Sequence, residues 1–160
     1  MDHQQADPLS REPVDSDVDL HVDRTIRRTR DTVLLTVIAV GGAIGATARY
    51  LIGLAWPTEP GGFPWATLFI NVFGCALIGI LMVVVTDVLT RQRLIRPFLG
   101  TGVLGGFTTF STYALDIQQL VANRHAGTAL LYLAATITGA LIAVWATANL
   151  TRALVNRRKR

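Results

Sequence analysis

The sequence predicts an all-α integral membrane protein with four transmembrane helices, the third broken near its middle. Three observations predict it. The 160 residues are 51% hydrophobic and only 16% charged, and the mean hydropathy is +0.41. A soluble domain of this length needs far more charge to cover its surface. The charge is also unevenly placed: eight of the eleven acids (Asp2, Asp7, Glu12, Asp15, Asp17, Asp19, Asp23, Asp31) fall in the first 31 residues. The rest of the chain is apolar runs separated by short polar clusters, a membrane pattern. Finally, one of those runs carries a glycine-rich and then hydroxyl-rich stretch that is ill suited to a continuous helix.

Residues 1–31 are acidic and then basic (Arg24, Arg27, Arg28, Arg30) and lack apolar periodicity, so they are expected to form a disordered tail. Ala46-Thr47-Ala48 resembles a signal-peptidase site, but the preceding tail is too long for a signal n-region and the apolar stretch too long for an h-region. Retention as a membrane helix is expected. The first span runs from about Thr32 to Leu54, the second from Phe63 to Thr86, the third from about Ile95 to Val121 and the fourth from Gly127 to Leu150. Each has about 20 residues or more, enough to cross roughly 30 Å of hydrocarbon. The prolines and glycines of Trp56–Gly62 make a loop; Arg91, Arg93 and Arg96 mark the second connection, and Asn123-Arg124-His125 the third. The membrane domain is thus expected over 32–151, with a basic tail at 152–160.

Basic residues gather on one side: Arg24, Arg27, Arg28 and Arg30, then Arg91, Arg93 and Arg96, then Arg152, Arg157, Arg158, Lys159 and Arg160. Arg124 stands alone on the other, beside His125. The positive-inside rule places both termini in the cytoplasm of a cell (inner, plasma) membrane protein. The net charge of +4 does not point to nucleic acid, because the arginines flank apolar spans and do not interleave with exposed aromatics. Cys75, the single cysteine, lies within an apolar span and has no partner for an intrachain disulfide.

Gly100, Gly102, Gly105 and Gly106 precede Thr108, Thr109, Ser111 and Thr112 in the third span. A break there would free backbone carbonyls, which membranes tolerate only where they line a cavity, bind an ion or are buried in protein. The alternative is a packing face, with Gly102 and Gly106 at small-xxx-small spacing. Phe110 and Tyr113, three apart, share a helix face, either as packing or as positive ring edges that an anion can approach. Asn71 and Thr67, four apart in the second span, are interhelical glue or pore donors. Tyr132 and Thr136 in the fourth span carry the same two readings. Arg49 follows Gly41 and Gly45, which permit close helix approach, and either snorkels to the interface or supplies positive potential at a pore mouth. The first, second and fourth spans hold no interior carboxylate, and no metal cluster, nucleophile–base pair or phosphate loop argues for an enzyme.

Gly41-Gly42 through Arg49-Tyr50, Asn71 with Gly74, and the run Gly105 to Tyr113 together resemble the Fluc (CrcB-type) fluoride channels, over about residues 33–150. The resemblance implies a passive fluoride-selective channel that lowers cytoplasmic fluoride, built as an antiparallel dimer with two pores and a structural sodium ion. It implies that the Gly105 and Thr108 carbonyls of both subunits hold the sodium, and that Phe110 and Tyr113 form an aromatic box. Asn71 would donate to fluoride, while Thr67, Ser111, Thr112, Tyr132 and Thr136 would extend a polar track, with Arg49 at the vestibule. Neutral donors suit a small, strongly hydrated anion, because a full cation in the narrow part would trap it. Two positions depart from the family: Tyr113 stands where Phe is usual, and Ala140 where a hydroxyl is often found. The charge bias fixes one orientation per chain, so an opposed partner is expected to be a paralogue, giving a heterodimer. A small multidrug exporter, which needs a membrane-embedded carboxylate, and a structural subunit without transport are the rivals.

Overall fold

The computed structural model describes residues 24–87 and 94–158, with the side chains of 24–28 and 158 left out of account. The expected tail at 1–23, and Arg91 and Arg93, lie outside the described residues. The chain divides into two units, 1–32 and Val33–Arg160, and the packing below is that of the second.

No strand occurs among the described residues, and three helices are long and apolar enough to cross a membrane. Helix α1 spans Arg24–Ala55 and α2 Trp65–Asp87. A π-helical segment, Arg96–Leu104, leads into the short α3, Gly105–Phe107, and α4 covers Ser111–Ala122. Helix α5 spans Ala126–Arg158.

Both outer helices exceed the spans read from hydropathy. Helix α1 starts at Arg24 where the tail was expected to reach residue 31, and α5 continues past Leu150 into the segment expected to be a basic tail. Arg and Lys are good helix formers, and adding residues to an existing helix costs little compared with nucleation. The 33 residues of α5 make a rod of about 50 Å, longer than the hydrocarbon.

Helix α2 begins after Pro64, whose carbonyl accepts from Leu68 N–H at 3.1 Å; a proline before the first turn forfeits no helical bond. At the end of α4, His125 N–H donates to Leu120 O at 2.8 Å and Arg124 N–H to Val121 O at 3.0 Å, with Arg124 left-handed at φ 63°. This is the paired C-terminal cap usually built with glycine. Its His125 lies against Gly61 of the first loop, where a Cβ would stand 2.6 Å from Nε2 and φ is +77°.

Glycine contacts define the helix directions. A Cβ on Gly79 would meet Val144 O at 2.6 Å, and one on Gly139 would meet Val72 Cγ2 at 3.0 Å. Helices α2 and α5 therefore run parallel, and the chain between them returns along the bundle. A Cβ on Gly41 would stand 2.6 Å from Phe98 O and one on Gly102 2.9 Å from Ile38 O, while Gly45 abuts the Val103 carbonyl and Gly106 that of Gly42. Here α1 and the π-helical segment touch backbone to backbone, as small residues allow.

The surface is apolar. Leu130, Leu131, Leu141, Ile142 and Trp145 of α5 are all exposed, whereas the interior holds Thr67, Thr109, Thr136 and Tyr132. Such a band is incompatible with water and natural in lipid.

Candidate functional site at the helix break

The helical path fails at Thr108, which is extended at φ −73°, ψ 156°. Helix α4 restarts with Phe110 as its N-cap. Two side chains shape this break. Asn71, in the middle of α2, receives Thr109 N–H on Oδ1 at 2.9 Å and returns Nδ2–H to Thr109 O at 2.9 Å. Its amide thus replaces a turn of backbone pairing, which satisfies both backbone polar groups of Thr109. Thr109 Oγ1 accepts Thr112 N–H at 3.1 Å, donates to Thr112 Oγ1 at 3.1 Å and lies 3.3 Å from Ser111 Oγ. A hydroxyl three residues ahead of the N–H it receives is a helix-start signal.

Grooves open on both flanks of this knot. One, of about 330 Å³, is lined by Asn71, Thr108, Thr109, Phe110, Tyr113, Thr136, Ile137 and Ala140. The Phe110 and Tyr113 rings sit 5.9 Å apart at 51°. Phe110 is 80% exposed in the single chain while Tyr113 is buried, its hydroxyl 3.4 Å from Leu133 O. The other groove, of about 450 Å³, brings together Arg49, Thr67, Thr109 and Thr112. Arg49 Nη1 donates to Thr108 O at 3.4 Å.

The residues singled out from sequence therefore fall in three places. Asn71, Phe110, Tyr113 and Thr136 share one groove; Arg49, Thr67 and Thr112 share the other, with Ser111 beside it on the Thr109 hydroxyl. Tyr132 lines neither of them. It is fully buried at 0% exposure, its ring 5.3 Å from Tyr113 and its hydroxyl donating to Asp116 Oδ2 at 3.2 Å. Thr136 spends its proton on Tyr132 O at 2.8 Å. Ala140 does lie on the first groove, beside Ile137, so that end of it is apolar.

Two residues of the third span, Thr109 and the Asp116 that follows its hydroxyl cluster, were given no site role from the sequence. Thr109 is the hub of the break; its spacing to Thr112 carried the cap signal. Asp116 is a carboxylate three residues beyond Tyr113, held by Tyr132 with Thr67 beside both. Among the described residues no group of three or more His, Cys, Asp or Glu could hold a metal. A cation at this break would have to rest on carbonyls. Gly105 and Thr108 lose their helical N–H partners to Asn71 and Thr109, and unwound backbone of this kind coordinates sodium in membrane proteins. The donor set fits that ion.

The family model described as CrcB-like protein, Camphor Resistance (CrcB), matches residues 36–148. The chain belongs to the CrcB-like family. It is 64% identical over 104 residues to fluoride-specific ion channel FluC 2 of Streptomyces avermitilis, covering 65% of this chain and 66% of that protein. It is 54% identical over 126 residues to FluC 1 of Streptomyces coelicolor, covering 79% and 82%. With FluC of Rhizobium meliloti the identity is 41% over 123 residues, 76% of this chain and 98% of that one. CrcB-like membership leaves the multidrug-exporter reading without support.

Proposed function

We propose that this chain is a subunit of a fluoride-selective channel that exports the anion passively and makes or breaks no covalent bond. The observation that carries the proposal is the convergence of Asn71, Phe110, Tyr113 and Thr136 on one groove at the helix break. The name shared by its relatives points the same way.

The residues divide the task. Asn71 has one Nδ2–H on Thr109 O, and its second is available to an anion. The ring edges of Phe110 and Tyr113 carry partial positive charge and so replace water without the trap a full cation would set. Arg49 raises the anion concentration at the mouth of the second groove. Fluoride sheds hydration stepwise against weak donors, which permits exit as well as entry.

The chain crosses the bilayer four times in this reading. The parallel course of α2 and α5 supports a third crossing by residues 96–122. Both termini face the cytoplasm of the cell membrane, following the arginine bias. The functional unit is an antiparallel dimer: Phe110, 80% exposed, needs a second surface to close a pore. One chain also supplies only the Gly105 and Thr108 carbonyls to a sodium ion, which would pin the break by drawing their dipoles together. The single orientation fixed by the arginines favours an oppositely inserted paralogue as partner.

The test is anion efflux from liposomes containing this chain alone or with a co-expressed paralogue, comparing fluoride with chloride. Fluoride efflux with chloride retained is expected, and Phe110→Ile should slow it. Equal permeation of the two anions in both preparations would reject the proposal. A conducting antiparallel homodimer would remove only the paralogue.

A further inference from the structure

The sodium reading leaves open what keeps two carbonyls free inside a membrane, where an unpaired backbone group is costly. In a continuous α-helix the Gly105 carbonyl would accept Thr109 N–H, and the Thr108 carbonyl would accept Thr112 N–H. Neither bond forms. Thr109 N–H goes to Asn71 Oδ1 at 2.9 Å and Thr112 N–H to Thr109 Oγ1 at 3.1 Å. Each of these two diverted donors finds a side-chain acceptor, so neither N–H is left unpaired when its carbonyl is released. Carbonyls at the two ends of the break stay paired: Leu104 O still receives Thr108 N–H at 3.0 Å, and Phe110 O receives Ala114 N–H at 2.9 Å. Gly105 and Thr108 between them carry the two carbonyls expected to meet sodium.

We propose that Thr109 and Asn71 are positioning residues for the cation: by taking one N–H each, they hold the Gly105 and Thr108 carbonyls out of the helix ladder. This rests on the sodium reading above. It assigns Asn71 a second task beside anion donation and gives Thr109, which is buried, a task no pore-lining role requires. Arg49 donates to Thr108 O at 3.4 Å, so sodium must take that carbonyl's second lone pair against the repulsion of the guanidinium charge.

The experiment measures thermal unfolding of the full chain in detergent, purified both alone and with its co-expressed paralogue, titrating sodium against N-methyl-D-glucamine at constant ionic strength; indifference counts only where both preparations show it. Wild type should be stabilised by sodium with a defined half-saturating concentration. Thr109→Val, which keeps the shape and loses the acceptor, should raise that concentration by about tenfold or more, the usual scale for residues that orient metal ligands. Thr109→Ser, which restores the oxygen, should return it to the wild-type value. If Thr109→Val fails to assemble, Asn71→Leu tests the other diverted N–H with the same expectation. A general loss of packing would lower the unfolding temperature at every sodium level without moving the half-saturating point. Variants that respond to sodium as wild type does would overturn this inference and leave the sodium reading intact. A wild-type protein indifferent to sodium would overturn the sodium reading itself.

Discussion

Tyr132 shows how far a residue's chemistry can be read before its neighbours are known. Its i, i+4 relation to Thr136 was visible in the sequence, yet the feature that defines its task, the Asp116 carboxylate at 3.2 Å, comes from a different segment that no periodicity connects to it. The pair sets a constraint on an anion path. A carboxylate repels fluoride unless its charge is engaged, and Tyr132 O–H engages it. Tyr132→Phe removes the donor and leaves Asp116 short of a hydrogen bond, a loss of about 1–3 kcal/mol for such a group. The unfolding free energy should fall by that amount, and fluoride efflux should fall with it, as read by a fluoride electrode on proteoliposomes. Efflux equal to wild type would show that the anion does not pass near Asp116. Asn71, by contrast, was legible: an amide in an apolar span had to find partners, and it finds them on Thr109 at the helix break, the glue of the two readings, while the pore role rests on the proposal above. Thr109 was hidden by its surroundings, one hydroxyl among four, distinguishable only once the helix was seen to stop beside it.

At the scale of elements, the glycines of α1 and of the π-helical segment were correctly suspected of close packing, but composition alone could not say against what. Gly41 and Gly45 face Phe98, Gly102 and Val103, so the small residues of one run meet those of the other. Backbone atoms cannot swing aside as a side-chain tip can. Gly45→Ala would drive a methyl into the Val103 carbonyl and should destabilise the protein by about 1–3 kcal/mol. Gly53→Ala, where the new methyl meets nothing within 4 Å, should be neutral or stabilise by up to about 1 kcal/mol through helix propensity. Chemical or thermal unfolding in detergent separates the two, and equal shifts would contradict the packing described. The wide turns of Arg96–Leu104 had no sequence signature beyond glycine content. They are visible in Gly105 N–H reaching back to Gly100 O, a geometry that depends on the neighbouring helix and not on local propensity.

For the whole molecule, hydropathy located α1, α2 and α5 but shortened α1 and α5, because polar residues that extend a helix beyond the lipid look like tails when only apolarity is scored. Four alternating spans with both termini on one side already imply that α2 and α5 run the same way, but their packing against each other was not legible; it rests on Gly79 against Val144 and Val72 against Gly139, contacts far apart in the chain. That parallel pairing has a consequence for biogenesis. Residues 96–122 leave the ribosome before α5 exists, carrying hydroxyls, Asp116 and a broken backbone that lipid alone cannot accommodate. Their stable residence must await the last helix, whose Tyr132 and Leu133 supply partners to Asp116 and Tyr113. A nascent chain stopped after Asn123 should therefore leave this stretch at the aqueous surface. In a Cys75→Ala background, a cysteine replacing the buried Leu120 should react with a membrane-impermeant thiol reagent in the truncated chain and be shielded in the full one. Equal shielding in both would mean the segment integrates unaided.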